Sequence, residues 1–465
     1  MEKIHIQSHG CSNNFHEGEV MAGLLEEAGY KITKDPYEAE IIILNLCTVK
    51  GDHQAIKTLK ETTKQYTAKI IAAGCILEST KKVLREYNPS LSLLNTHNIN
   101  NIAKIVEAVI EGDVIESLEK NKIVKINLPK IRINPIINIV PVGNGCTSAC
   151  TYCSVKLIKG YMQSYSVEQI VEEVKRSIQE GAKEIYLTGQ DTGAYGIDWK
   201  KENVKTERAE EKEQLKQITQ IPPQAAELPE LLEALTKIPG EFMIRVGMTS
   251  PNHVYRHLDR LIAVYHHPKI YKFLHIPVQS GSNKVLQDMK RPYTVEQYKE
   301  CIAKFKKAFP DITIATDIIV GFPEETEEEF EETIKLLEET QTDAINMSRF
   351  SKRPGTLAAK MKQVPTNIVK ERSKRLKVVE QKIISARNAL WNGWAGTVLV
   401  DEYGKNKTMI GRNYAYKQVL LKGKYNLGET VDVTIEETGT YDLRAFKKEQ
   451  LTSQEENAQL IQIRT

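Results

Sequence analysis

Cys146, Cys150 and Cys153 lie within Val142–Ser154 at the spacing Cys-x3-Cys-x2-Cys. Thiolates this close on one loop can wrap a single metal centre, and cysteine thiolates are the usual protein ligands of iron–sulfur clusters. A cubane cluster has four iron corners, so three cysteines leave one iron open to a substrate or cofactor. Gly143 and Gly145 let the backbone turn tightly around such a centre. The other readings are zinc and buried structural cysteines. A closed zinc site wants a fourth protein ligand, and no His or Cys follows closely to supply it. Three further cysteines, Cys11, Cys47 and Cys75, are far apart in sequence, and each lies at the end of an apolar run.

Those runs define the elements that must position the second set. Residues 1 to about 110 alternate short runs (Lys3–Ser8, Glu40–Leu46, Lys69–Ala73) with helical segments such as Glu19–Ala28, which Gly29 stops. Continuous apolar runs between helices predict buried parallel strands, hence a Rossmann-like α/β domain. Ligands of such sheets bind beyond the carboxyl ends of the strands, where all three cysteines lie. They either converge there or are simply small buried residues. Residues 112–136 read as a connector with a short β segment.

From about 136 to 350 the alternation resumes. Candidate strands are Ile137–Val142, Glu184–Thr188, Met243–Met248, Lys272–Val278, Ile312–Val320 and Asp343–Phe350. A capping box at Ser166–Gln169 opens one intervening helix and Gly181 closes it. Six strand–helix units predict a partial (β/α)6 barrel with function at the carboxyl ends of its strands. The Lys/Glu/Gln-rich stretch 199–224 reads as a solvated insert, and the acidic run Glu324–Glu332 as an exposed helix start. Between Ser351 and Lys377 nine bases face the single acid Glu371, which is either a nucleic-acid footprint or a solvated helix face. Residues 392–446 read as five short strands forming a small barrel. Their stretch Tyr403–Lys424 is acid-free and interleaves Lys405, Lys407, Arg412, Lys417, Lys422 and Lys424 with Tyr403, Tyr414 and Tyr416. Bases can pair with phosphates while aromatic rings stack on nucleobases, so Arg412, Tyr414 and Lys417 are candidate RNA contacts.

The cysteine loop, with Tyr152 before its last cysteine, resembles the radical S-adenosylmethionine (SAM) signature. The resemblance implies that the open iron chelates SAM and that Tyr152 lies near the adenine. It further implies SAM contacts at successive strand ends. These are Gly189 and Gln190 in Thr188–Gly193, Arg245, Thr249 and Ser250 in Arg245–Pro251, Gln279 in His275–Ser282, and Asp317 and Gly321 in Asp317–Glu324. Alone, each Gly-rich fragment reads as a tight turn; their order after successive strands carries the resemblance.

The N-terminal motifs Gly10-Cys11-Ser12-Asn13-Asn14, Asn45-Leu46-Cys47-Thr48-Val49 and Gly74-Cys75 resemble those of methylthiotransferases. Two details depart from the family: Glu17-Gly18-Glu19 stands for Asp-Ser-Glu, and Ile76 for the Gln after the third cysteine. The C-terminal segment resembles the TRAM domain, with Gly411–Val419 nearest to the archaeal and eukaryotic branch that acts on N6-threonylcarbamoyladenosine (t6A).

The resemblance implies three domains: 1–110, a radical SAM core at 136–376, and an RNA-binding TRAM barrel at 392–446. It implies two [4Fe–4S] clusters as cofactors, one on Cys11, Cys47 and Cys75 and one on the catalytic Cys146, Cys150 and Cys153, together with SAM. The implied reaction puts a methylthio group on C2 of t6A at position 37 of tRNA. One SAM methylates a sulfur at the first cluster, and another yields a 5′-deoxyadenosyl radical that takes the C2 hydrogen. An electron donor and a sulfur source are then required partners. Alternatives are a methylthiotransferase acting on isopentenyladenosine or on a ribosomal-protein aspartate, a radical SAM oxidoreductase with an auxiliary cluster, and a non-catalytic iron–sulfur RNA-binding protein.

Composition bounds these readings. The chain has 465 residues, is 41% hydrophobic and 27% charged, and carries a net charge of +3, ordinary values for a globular protein. Its seven cysteines, an odd number, argue against a secreted disulfide framework. No stretch approaches the roughly 20 apolar residues of a membrane span, and the first residues have no signal-peptide layout. A cytoplasmic location without membrane partners is therefore expected.

Overall fold

The computed structural model describes residues 2–47, 52–199, 226–405 and 408–447. Two compact units are found: one of residues 1–180, 185–239 and 351–361, the other of 181–184, 240–350 and 362–465. Most of the expected insert at 199–224, the motif residues Thr48 and Val49, and Lys407 lie outside the described residues.

The first unit begins β1 Lys3–Ser8, α1 Ser12–Glu27, β2 Lys31–Ile32, β3 Ile41–Leu46, α2 Asp52–Gln65, β4 Lys69–Gly74, α3 Glu78–Tyr87, β5 Ser92–Asn95, α4 Ile102–Glu111 and β6 Glu116–Ser117. The strands form one parallel sheet in the order β2-β1-β3-β4-β5-β6. Why β3 is apolar at nearly every position follows from the two faces. Ile41 and Ile43 pack beneath α1 and α4, while Ile42, Leu44 and Leu46 pack beneath α2 and α3. Each such fully buried side chain is worth about 1.5–3 kcal/mol. The order differs from the classic Rossmann one and is the flavodoxin-like order of doubly wound sheets, whose switch point falls between β1 and β3. The expected β segment of the connector is β6, which extends the sheet edge.

The same unit continues with β7 Ile137–Pro141, β8 Gly143–Asn144, α5 Val155–Lys159, β9 Gln163–Ser164, α6 Val167–Gln179, β10 Glu184–Thr188 and α7 Leu228–Thr236. β8 pairs with β9, and β10 lies beside β7. Ser166 and Gln169 form the expected capping box on α6.

The second unit carries β11 Met243–Arg245, α8 Pro251–Arg256, α9 Leu258–Tyr265, β12 Phe273–His275, α10 Asn283–Asp288, α11 Val295–Ala308, β13 Thr313–Val320, α12 Glu327–Thr340, β14 Ala344–Arg349 and α13 Thr366–Ala389. Strands β12, β13 and β14 are parallel neighbours. Cys301 is fully buried on α11, as a packing residue. The acidic and basic runs are not two independent solvated faces. Arg372 pairs with Glu325 at 3.1 Å and Glu327 at 2.9 Å, and Arg375 with Glu327 and Glu331. Helices α12 and α13 pack on each other and bring the two runs together.

The chain then forms β15 Ala395–Tyr403, β16 Met409–Arg412, β17 Gln418–Leu421, β18 Thr430–Thr438 and β19 Leu443–Lys447, a closed barrel in the order β15-β16-β17-β19-β18. Val398, Val400, Val419, Leu421, Val433 and Ile435 fill it from alternate positions. Among the described residues no helix is long and apolar enough to cross a membrane.

Candidate functional site: two cysteine triads

Cys11, Cys47 and Cys75 follow β1, β3 and β4, three neighbours in the sheet. Adjacent strands lie about 4.8 Å apart, so the topology alone brings these distant cysteines into one neighbourhood. Close packing completes it. Gly10 has φ +103°, and a Cβ there would sit 2.3 Å from the Cβ of Cys47; only glycine fits. The Asn14 amide donates to the carbonyls of His9 (3.0 Å) and Leu46 (2.8 Å), while its Oδ1 accepts from the Cys75 thiol at 3.4 Å. Asn45 donates to the Asn14 carbonyl at 2.6 Å and to Ser8 Oγ at 3.2 Å. Two buried amides thus lace all three loops together. Cys11 is the N-cap of α1, where the helix dipole favours negative charge. Burial pushes the Cys75 thiol up to about 12, and Lys159 pulls the other way.

The second triad is local. Gly145 has φ +83°, and a Cβ there would lie 2.0 Å from the Tyr161 carbonyl oxygen. The backbone N–H of Ser148 points at Cys146 Sγ and that of Val155 at Cys153 Sγ, both at 3.4 Å. Such donors stabilise thiolates. The three cysteines line a cavity of about 210 Å3, with Thr151, Lys156, Leu157 and Thr356 around it. The Ala358 N–H donates to the Thr151 carbonyl at 2.9 Å, anchoring one wall. Tyr152 is half-buried on this loop, and Gly189 and Gln190 are half-buried after β10.

Each triad offers three cysteine thiols, the donor chemistry of an iron–sulfur cluster. Among the described residues no three His, Cys, Asp or Glu side chains converge tightly enough for a single metal ion. A cubane, which takes each thiolate on its own iron corner, asks for a wider spread. The loop triad offers space and N–H donors to sulfur, and the sheet triad offers three strand ends and a helix N-terminus.

The remaining predicted residues belong to the second unit. Thr249 and Ser250 are buried; the Thr249 N–H donates to the His275 carbonyl at 2.9 Å, and Ser250 Oγ accepts from Arg291 at 2.8 Å. Gln279 has φ +73°, a strained value for a residue with a side chain, and its N–H donates to the Asp317 carbonyl at 2.8 Å. The Asp317 carboxylate accepts from His275 Nε2 and from Asn346, both at 2.9 Å. Burial opposes its charge, but these two donors hold it below the usual carboxylate range. Gly321 is explained by packing: a Cβ there would lie 2.4 Å from Val369 on α13.

Arg245 is buried, and the face of its guanidinium stacks on Phe273 (4.7 Å) and Tyr416 (5.2 Å). The barrel departs from the sequence reading. Lys417 is buried, bonded to Asp343 and Asn388, both at 3.1 Å. Arg412 pairs with the fully buried Asp401 at 3.2 Å and with Glu402 at 3.3 Å, and lies over the Tyr416 ring. Both cations are thus already engaged in internal ion pairs. Tyr414 keeps 40% of its surface exposed while its hydroxyl donates to Asp311 at 2.8 Å. Tyr403, Lys405, Lys422 and Lys424 are exposed.

Sequence reasoning missed a buried knot beside the first triad. Glu17 Oε1 accepts from Lys125, Lys159 and Thr96, each at 2.6 Å. Thr96 Oγ1 accepts in turn from Lys125 (2.7 Å) and Lys159 (2.6 Å). Burial opposes charge on Glu17, yet the two lysines hold its carboxyl down at about 2. The departure at Glu17 was the one available signal; the lysines, 108 and 142 positions away, carried none.

Three family models match along the chain: the uncharacterized protein family UPF0004 over residues 3–95, the radical SAM superfamily over 140–337 and the TRAM domain over 395–447. A probable threonylcarbamoyladenosine tRNA methylthiotransferase of Pyrococcus abyssi is 38% identical over 446 residues, 93% of this chain and 98% of that one. The human threonylcarbamoyladenosine tRNA methylthiotransferase is 38% identical over 459 residues, covering 96% of this chain and 74% of its own length. The chain belongs to the threonylcarbamoyladenosine tRNA methylthiotransferase family. In fold it is similar to a radical SAM methyltransferase of Kitasatospora setae, with TM-score 0.50 and 12% identity over 77% of this chain and 75% of that one. For this methylthiotransferase family member, the radical SAM match brings SAM and a [4Fe–4S] cluster as cofactors.

Proposed function

We propose that this protein methylthiolates C2 of N6-threonylcarbamoyladenosine at position 37 of tRNA, giving the 2-methylthio derivative. In this reading Cys146, Cys150 and Cys153 hold one [4Fe–4S] cluster and Cys11, Cys47 and Cys75 hold a second. The observation that carries it is that a local triad and a triad assembled from three strand ends share one compact unit. When bound, the two clusters and SAM supply the radical and sulfur chemistry.

The chain's own residues bind and orient. Asn14 and Asn45 fix the three loops of the first triad. The N–H groups of Ser148 and Val155 support the thiolates of the second. Tyr152, Gly189 and Gln190 of the first unit are proposed as SAM contacts, and so, in the second unit, are Arg245, Thr249, Ser250, Gln279, Asp317 and Gly321. The working domains are proposed at 1–110, 136–376 and 392–446. The barrel offers exposed Tyr403, Lys405 and Lys424 to the tRNA, with Tyr414 as a stacking surface. An external electron donor and a sulfur source complete the reaction.

Anaerobic reaction with tRNA followed by nucleoside analysis tests this. The 2-methylthio derivative of threonylcarbamoyladenosine is the expected product. Methylthiolation of isopentenyladenosine alone, or 5′-deoxyadenosine formation with no modified nucleoside, would refute it.

A further inference from the structure

The knot of Glu17, Thr96, Lys125 and Lys159 joins α1, the end of β5, the connector and the last residue of α5. Its side chains are nearly inaccessible: 3% exposed for Glu17 and Lys125 and 2% for Lys159. Two ammonium groups share one carboxylate, leaving one positive charge unbalanced. An unbalanced buried charge is expensive, so something must offset it. The neighbouring Lys130 pairs with its own carboxylate, Glu173. Burial keeps His16 neutral, with its pKa lowered to about 4. What remains beside Lys159 is the first triad: Thr96, which accepts from Lys159 at 2.6 Å, donates its own N–H at 3.0 Å to the carbonyl of Gly74, the residue before Cys75.

We propose that the Lys159 ammonium is the counter-charge of the group held by Cys11, Cys47 and Cys75. It stabilises the negative charge that three thiolates bring there and raises the reduction potential of that group. Lys159 is a positioning residue: it acts through the thiolates and ties α5, the helix that follows Cys153, to the N-terminal site. Lys125 shares Glu17 with it and so keeps the net charge positive. This rests on the reading that the first triad holds a cluster.

The test uses the full chain with Cys146, Cys150 and Cys153 replaced by Ala, so that only the N-terminal cluster is read. After anaerobic reconstitution, iron per chain and an EPR-monitored reduction titration are compared with and without Lys159→Gln. The substitution should keep the iron and lower the potential by at least a tenfold change in the reduced-to-oxidised ratio, about 59 mV for one electron. Lys104→Gln, an exposed site on α4, should leave it unmoved. A potential in Lys159→Gln equal to that of the parent would overturn the proposal. If Lys159→Gln loses iron, Lys159→Arg decides: retained iron and a parent-like potential support the charge, and loss in both rejects it. A parent that takes up no iron would refute the second cluster itself, which is a different failure because it precedes any change at Lys159.

Discussion

The two triads reach similar donor sets by opposite routes. Cys146, Cys150 and Cys153 sit on one loop and face a cavity; their spacing needs only a tight turn and a few N–H groups. Cys11, Cys47 and Cys75 exist as a set only when β1, β3 and β4 are side by side. Their support is buried: two asparagine amides, a glycine in contact with Cys47, and a charge knot drawn from four stretches of chain. The local triad is set by one stretch of chain, whereas the assembled one inherits every defect of the sheet and of the knot. The sheet triad therefore rests on packing between elements far apart in sequence.

The largest effect separates the two directly. Cys150→Ala should abolish SAM cleavage, whereas Cys47→Ala should spare uncoupled cleavage while stopping methylthio transfer. 5′-Deoxyadenosine and modified nucleoside, quantified side by side, check this; identical behaviour of two folded variants would erase the division of labour.

Glu17→Gln should destabilise the protein by about 3–5 kcal/mol, because it strips the carboxylate from two buried ammonium groups. The pH dependence has a definite sign. Glu17 sits at about 2 against an ordinary 4.5, so its contribution is complete above 4.5. It is lost as pH falls from there toward 2. Denaturant titrations across that range should show this loss in the parent and not in the variant.

Gly10→Ala should cost about 2–3 kcal/mol, from a positive φ and a contact with Cys47. It should impair iron uptake at the first triad alone, leaving SAM cleavage by the second. Equal loss at both sites would show that the loop triad also depends on the sheet.

The smallest effect should reach neither triad. Replacing Lys405 and Lys424 with Ala should weaken tRNA binding and reduce its salt dependence by about one unit of slope per lost phosphate contact. SAM cleavage without tRNA should be unchanged. Salt-series binding measurements decide, and an unaltered slope would remove these lysines from the RNA surface.

What could be read from the sequence follows the same division. The loop triad was legible because its spacing is local. The sheet triad was legible through its apolar runs, since a continuous run ending in cysteine marks a buried strand end, and through the short motifs around each cysteine. The strand order was not legible, because β3 must be threaded beside β1 rather than β2. Lys125 and Lys159 gave no sign, because a lysine reads as solvated until its partner, more than a hundred positions away, is known. The same blindness affected Arg412 and Lys417. Both looked like part of an acid-free surface, yet Asp401 and Asp343, outside that run, neutralise them. Likewise the bases of 351–377 look unopposed in line, and the acids that answer them sit on α12.

Iron stoichiometry tests the central claim most directly. Anaerobically reconstituted parent should hold about eight irons per chain, four per cubane. Replacing Cys11, Cys47 and Cys75 with Ala, or Cys146, Cys150 and Cys153 with Ala, should each leave about four. A parent holding only about four irons, all of them lost with the loop triad, would contradict the account.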